Sequence, residues 1–502
     1  MNHTYRLIWN RSSLSYVPAP ETTKTHGKSA SKKLLIPAAI VLSTSLALPA
    51  YAKTPIAQSM ASNTLPQGGQ VVAGQASINQ AGQQMTINQG SQKAIINWNK
   101  FNIGQDASVT FQQPNSKAIA LNRVITNDAS QIHGQLNANG QVWLINPSGV
   151  LFGKNSQVNV GGMVASTLDI ANKDFLKDNY QFKRDQATGG ISNLGTLTAA
   201  AGGYIALLAP TVSNEGIITA QLGSVTLAAG DQITLNAGAD GLLNVQLDPA
   251  TVETLIENKQ LIVADGGQVI MTGRAADALS ASVVSNSGKV QANAIAEKDG
   301  RILLVADMQH GQTQAAGELS AEFVETGAAK VVLDKNLKVN TQGGEWLIDP
   351  VDIIIDSAKA QAIQTGLNSG NVTVTTADNA NNPWGDNGAG SDAGDIHVNA
   401  DITYTQNKLT LNADNNINLN AEINVNGSGT LALNPGGNIN AKFGDNGGFA
   451  GKVNFAQSGP GLLTINSNNY TVINSLGLEG STNGTDLQGM NGNLSGYYAL
   501  GS

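Results

Sequence analysis

A hydrolytic or metal site needs histidines, carboxylates or an activated nucleophile within reach of one another, and this chain offers few at useful spacings. Beyond residue 52 the histidines are His133, His310 and His397, far apart and without the short intervals that put two ligands on one face of an element. Cysteine is absent, so neither a thiolate nucleophile nor a disulfide is available. There is no Gly-x-Ser-x-Gly elbow, no phosphate-binding P-loop and no His-Glu-x-x-His pair. Asp386, Asp392 and Asp395 occupy a glycine-rich stretch with the residue types of a calcium-binding turn, but their spacing does not repeat. No catalytic residue, metal or cofactor is expected, and isolated turn or surface histidines are the plainer reading.

The residues repeat instead. Asn-x-Gly followed by alternating apolar positions recurs at Asn193-Leu194-Gly195, Asn214-Glu215-Gly216 and Asn286-Ser287-Gly288. Gly before an apolar-x-apolar run recurs at Gly203, Gly223, Gly267 and Gly300. Short strands, Gly/Asn corners and a period near 20 residues are the pattern of a β-solenoid, in which no coil can bury its inward face alone. Gly and Asn tolerate the left-handed backbone that corners require, and stacked Asn can form amide ladders. A β-sandwich is the alternative, and would need antiparallel hairpins and a looser repeat.

Several stretches interrupt the coils. Asp248-Pro249 reads as the start of a short helix with Val252, Leu255 and Ile256 on one face, and Ser357 to Leu367 as a second. Thr167 to Gly190, with Phe175, Tyr180 and Phe182, reads as an excursion from the stack, and Asn379 to Asp395 as a loop around Trp384. Alternation resumes at Ile396.

The first 52 residues have a different logic. Arg6, Arg11, Lys24, Lys28, Lys32 and Lys33 precede an apolar run from Leu34 to Leu48, and Ala50-Tyr51-Ala52 supplies a signal-peptidase site. The run, of roughly 15 residues with Pro37 inside it, is short of the ~20 that span a bilayer. Cleavage after Ala52 is therefore expected rather than retention as an anchor. The segment Met1 to Asn10 precedes the usual basic region and resembles the extended signal region of very large Gram-negative secreted proteins. Without residues 1–52 the chain keeps 22 basic and 35 acidic residues, a net charge of −13, which suits neither nucleic acid nor anionic lipid as a main partner.

Residues 60 to about 310 carry a more specific signal. In order come Asn97-Trp98-Asn99-Lys100-Phe101, Val109-Thr110-Phe111-Gln112-Gln113-Pro114-Asn115, Ala120-Leu121-Asn122-Arg123-Val124, Gly140-Gln141-Val142-Trp143-Leu144-Ile145-Asn146-Pro147-Ser148-Gly149 and Gly162-Met163-Val164-Ala165-Ser166-Thr167. Together they resemble the secretion domain of the two-partner secretion family, best known from filamentous haemagglutinin-type adhesins. Trp346-Leu347-Ile348-Asp349-Pro350 extends the resemblance toward the adhesin subgroup. Tyr470 to Gly477 and Leu487 to Gly501 resemble the entry to GLUG-type repeats, which suggests a chain truncated inside that pattern.

The family signature Asn-Pro-Asn-Gly stands here as Asn146-Pro147-Ser148-Gly149, and the weaker Asn-Pro-Asn-Leu only as Gln113-Pro114-Asn115-Ser116. Asn first, Pro second and Gly fourth suit a type I turn, whose third position takes Ser as readily as Asn. Both motifs can be register-holding turns or transporter-recognition sites; the side chains favour the first, leaving the surface around them to the transporter.

The resemblance implies an all-β, right-handed parallel β-helix with short extra-helical elements and an N-terminal cap. Its implied partners are an outer-membrane β-barrel transporter with POTRA domains, signal peptidase with the general secretion machinery, and a host-cell or glycan receptor, with no nucleic acid. The expected division is a signal peptide at 1–52, a secretion domain at 53–310, continuing β-helix or adhesin repeats at 311–460 and GLUG-type repeats from 461 to 502. The expected function is that of a secreted or surface adhesin of a Gram-negative bacterium. The alternatives are a stalk delivering a missing C-terminal toxin or cytolysin, or a polysaccharide-degrading β-helix enzyme.

Overall fold

Apolar residues at alternate positions, broken by Gly, Asn or Asp, fold into strands of three to seven residues throughout the second unit of the computed structural model. The structure describes residues 5–10, 15–20 and 60–501, except 186, 188, 239, 240, 297, 378–393 and 446. The signal-cleavage residues Ala50 and Ala52, and Trp384, Asp386 and Asp392 of the glycine-rich loop, lie outside the described residues. The chain divides into two units, Met1–Gln58 and Ser59–Ser502. In the first, Tyr5–Asn10 pairs antiparallel with Ser15–Pro20.

The second unit is a three-sided β-helix. One coil shows the rule: Ile119–Val124 lies on the first face, Ser130–Ile132 on the second and Gln135–Ala138 on the third. Gln141–Ile145 then returns beside its starting strand, parallel, with Gln141 opposite Ile119. The first face stacks from Gln70–Ala73 to Tyr497–Leu500. Among the described residues no pairing joins its two ends, so it is an open stack rather than a closed barrel. The second face is a sheet of eight strands followed by one of four, and the third a sheet of 11 strands followed, beyond a helix, by one of three. Within each sheet the interior strands are hydrogen-bonded on both sides, and inward residues such as Val142, Leu144, Ile205, Leu207, Val269 and Met271 form one continuous buried core.

The N-terminal end is capped by antiparallel strands. Gln70–Ala73 pairs with Lys93–Trp98, and Ala76–Ala81 with Gln84–Gln89. These turn the chain back over the first coil, whose inward Ile96 and Trp98 would otherwise meet water.

The expected helix at Ser357–Leu367 is present with those bounds. Asp356 caps it, accepting from the Lys359 backbone at 3.0 Å. It serves as one rung of the third face between Lys338–Asn340 and Ile402–Tyr404, burying Ala360, Ala362, Ile363, Gly366 and Leu367. The helix expected after Asp248-Pro249 does not form. Thr254–Asn258 is a strand, parallel to Thr211–Asn214 and Ser282–Asn286. Neighbouring coils offer partners on both edges, and that pairing outweighs the local N-terminal signal.

Thr167 to Gly190 does leave the stack, as helix Asn172–Leu176 and strand Gln181–Lys183. The strand pairs antiparallel with Gln232–Ala237, which forms a hairpin with Leu243–Asp248. These elements lie over the outward side of the first face and make a second apolar cluster with Trp143, Ile145, Val164 and Leu208. The hairpin was not expected: Ile233, Leu235, Val245 and Leu247 alternate as an inward strand does, and alternation does not reveal which surface is buried.

Candidate functional site

Asn146 sits where the chain turns from the first face to the second, and it is completely buried. Its side-chain amide donates to the Asp128 carbonyl at 2.8 Å and to Ser130 Oγ at 2.9 Å, both on the preceding coil. Its Oδ1 accepts from the Ser148 backbone at 3.0 Å, and its own N–H donates to the Ser166 carbonyl on the following coil at 2.8 Å. The Gly149 N–H donates to the Asn146 carbonyl at 3.0 Å, closing the turn. Ser148 does not adopt positive φ, so the turn is not type II, and the expected type I chemistry fits. Gly149, at φ 112°, has a backbone that an L side chain rarely adopts. Pro147 is exposed and Ser148 half-buried. Asn146 thus staples three successive coils, leaving the Pro147 ring as the motif's outer surface.

Gln113 does similar work at a different corner, between the third and first faces. Its backbone and the Asn139 side chain form a reciprocal pair, each bond 2.7 Å. Its Nε2 donates to Gln89 Oε1 at 3.0 Å, to the Ala118 carbonyl at 3.0 Å and to the Gln141 carbonyl at 3.1 Å. Its Oε1 accepts from the Gly140 backbone at 3.1 Å. Pro114 and Asn115 are exposed, and Asn115 Oδ1 accepts from the Lys117 backbone. The two motifs therefore occupy opposite margins of the first face rather than one composite site.

Other motif residues also join coils. Trp98 Nε1 donates to Asn122 Oδ1 at 3.0 Å inside the core, and Trp346 Nε1 to Thr326 Oγ1 at 3.1 Å. Trp143, on the outward side, donates to the Tyr204 hydroxyl at 2.8 Å, which donates to Gln141 at 2.6 Å. Burial pushes the Tyr204 phenol up, so it stays a neutral donor.

The stacked asparagines do form an amide ladder, and one member escaped the residue pattern. Asn193 donates to Asn214, Asn214 to Asn258 and Asn258 to Asn286, each at 2.8 Å and all buried. Asn258 lacks the following Gly that marked the other three, so only the coil register could have found it.

His133, His310 and His397 stand on separate coils. His397 Nε2 lies 3.8 Å from Asp395 Oδ2. Burial would raise Asp395, but hydrogen bonds from the Asn416 backbone and the Asn418 and Asn416 side chains hold its carboxyl below the usual range. Among the described residues no three His, Asp or Glu side chains gather as a metal site, and no helix is long and apolar enough to cross a membrane. A further accessible feature is the N-terminal edge. Ala76–Ala81 is the terminal strand of the 11-stranded sheet, with Ser77, Asn79, Gln80 and Ala81 exposed.

Comparison with known proteins places these features in context. Residues 57–321 match the TPS secretion domain, and residues 1–50 match the extended signal peptide of the type V secretion system. A heme/hemopexin-binding protein of Haemophilus influenzae strain Rd is 31% identical over 297 residues, covering 57% of this chain and 32% of that protein. A second heme/hemopexin-binding protein of Haemophilus influenzae is 32% identical over 339 residues, covering 62% and 35%. The chain thus spans about a third of the length of the curated relatives it matches. The crystal structure of the HMW1 secretion domain from Haemophilus influenzae is 27% identical, covers 80% of this chain and all of that one, and superposes with a TM-score of 0.57.

Proposed function

The chain belongs to the two-partner secretion family, and from that premise we propose that its N-terminal edge is what the transporter engages while its signature corner serves folding. Export runs through the general secretion machinery and then a dedicated outer-membrane transporter, to the surface or surroundings of a Gram-negative cell. The matched family is one of secreted exoproteins.

The reading rests on one contrast. Asn146 is buried with its side-chain amide and carbonyl bonded within the chain, whereas Ala76–Ala81 presents a sheet edge. An edge strand is a template for β-augmentation, the mode by which a periplasmic POTRA domain would add a strand. Asn146, Pro147, Ser148 and Gly149, with Gln113, Pro114 and Asn115, would then be legible to a transporter only through Pro147, Pro114 and Asn115 or before folding. Residues 53–310 form the secretion unit in this reading, 311–460 an adhesive β-helix, and 461–502 the opening of GLUG-type repeats. The distal coils bind a host-cell or glycan receptor and catalyse nothing, and Ala50-x-Ala52 is the signal-peptidase site.

Site-specific photo-cross-linking separates the alternatives. A photoreactive residue at Ser77 or Asn79 of the mature chain should capture the transporter's periplasmic domains. Capture from Pro147 or Asn115 with none from 77 or 79 would sink the edge reading.

A further inference from the structure

The segment from Thr167 to Lys183 covers a surface that the earlier coils leave apolar. Ile95, Ile119, Leu121, Trp143, Ile145 and Val164 point away from the solenoid interior, yet are buried. Phe175, Tyr180 and Phe182 pack around Trp143 with ring centroids 5.4, 4.7 and 5.6 Å away. The segment has little structure to hold it in place by itself, since its helix is five residues long and its strand three.

Two cations from the earliest coils fasten it. Lys93, in Lys93–Trp98 of the first coil, donates to the Phe175 carbonyl at 2.7 Å and to the Leu176 carbonyl at 3.2 Å, and pairs with Asp178 at 2.8 Å. Its ammonium lies 5.4 Å from the Phe175 and Tyr180 ring centroids. Arg123, one coil later, pairs with Asp169 at 2.8 Å, donates to Asn172 at 2.7 Å and also reaches the Ile170 carbonyl. Lys93 thus caps the helix C-terminus and Arg123 holds the start of the segment, while its last strand pairs with the later hairpin. Lys93 precedes its carbonyl partners by 82 and 83 residues. In an N-to-C emerging chain the first coils are therefore available before anything can cover them.

We propose that Thr167–Lys183 is a strap that closes over already stacked coils, with Lys93 as its catch. Coil stacking and strap closure are then separate steps, and the apolar outer face stays open during the interval between them. The use of that interval in export rests on the reading above; the device itself does not.

Hydrogen exchange on the purified mature chain, without any transporter, tests it. Lys93→Met should speed exchange of the 172–183 amides by about tenfold or more while coils 191–230 and 254–316, outside the hairpin that pairs with the strap, stay unchanged, and Lys93→Arg should restore much of the protection. Phe175→Leu, which loosens the strap from its apolar side, should give the same local pattern. No change in the strap, or an equal rise through residues 93–166 in either Lys93→Met or Phe175→Leu, would show that it is not a separable unit and overturn the proposal.

Discussion

The side chain of Asn214 donates to that of Asn258 at 2.8 Å across 44 residues of sequence, the whole hairpin excursion included. The Asn258 amide passes the pattern on to Asn286, whose own amide ends the series on the Ala316 carbonyl at 2.8 Å. Asn214 and Asn258 each give to one Asn and receive from another, so a one-residue slip of either coil would break two ladder bonds at once. The Asn-x-Gly spacing has a matching cause. Gly195 donates to Asn193 Oδ1 at 3.1 Å, and a Cβ on Gly195 would lie 2.1 Å from Ser156 Oγ. The ladder therefore sets register where the apolar core, being repetitive, cannot.

Asn258→Leu should accordingly cost more than its similar volume suggests. The Asn214 amide would keep only a 3.4 Å contact with the Leu261 carbonyl, and Asn286 Oδ1 would lose its side-chain donor. Leaving buried polar groups unpaired costs about 1–3 kcal/mol each, so chemical denaturation should register a loss of roughly 2–5 kcal/mol. A loss under about 1 kcal/mol would mean that the ladder contributes little beyond its neighbours.

The signature corner predicts a graded series. Asn146→Ala removes both staples to the preceding coil and the turn contact to Ser148, and should destabilise by roughly 2–4 kcal/mol. Ser148→Asn, which restores the family's residue, should be neutral within about 0.5 kcal/mol because the turn uses only the backbone N–H at that position. Gly149→Ala should lose about 1–3 kcal/mol from its φ of 112° and a Cβ placed 2.9 Å from the Gly190 carbonyl. Thermal melts of the three proteins check the order, and an unstable Ser148→Asn would overturn the turn argument.

Much of this fold was legible because a solenoid repeats its instructions. The 20-residue step from Gly203 to Gly223 is the observed step from Tyr204 to its partner Ser224, and the helix at Ser357–Leu367 has a cap and a period that do not depend on the coils. What local sequence could not supply was the side of burial. The strand at Thr254–Asn258 carries helix-start residues before it, and only the coils above and below decide it. The strap and hairpin alternate as interior strands do, and become exterior because Trp143 and its neighbours offer a second apolar surface. At the signature corner the turn was readable, but the Asp128 and Ser130 partners that bury Asn146 were not, since they lie one coil away.

Asp356→Ala tests the helix that replaces a strand. The side chain caps the Lys359 backbone at 3.0 Å and pairs with the Lys359 ammonium at 2.8 Å. Burial would raise its carboxyl, but those contacts hold it below the usual range. Loss of the cap should cost about 1 kcal/mol at neutral pH, and the difference from the parent should shrink as acid protonates Asp356. A pH-independent difference would assign the effect to packing instead.

Glu325 gives the opposite sign of pH dependence. It lies in the first face between Leu303 and Leu347, the residues paired with it on the coils above and below. Burial raises its carboxyl from 4.5 to about 7, with the Arg301 charge pulling weakly the other way. An acid whose folded value exceeds its unfolded one leaves the native state holding the proton longer. Stability from this group is therefore full below pH 4.5, declines as pH rises toward 7 and is flat above that. The decline should be at most about 3.5 kcal/mol, because the carboxyl loses about 1.4 kcal/mol for each pH step between its unfolded and folded values. Glu325→Gln should remove it, making the variant more stable than the parent at about pH 8 and nearly equal at about pH 4. Denaturation midpoints at the two pH values measure the difference directly, and a variant less stable than the parent at the higher pH would mean that the Arg301 interaction outweighs burial.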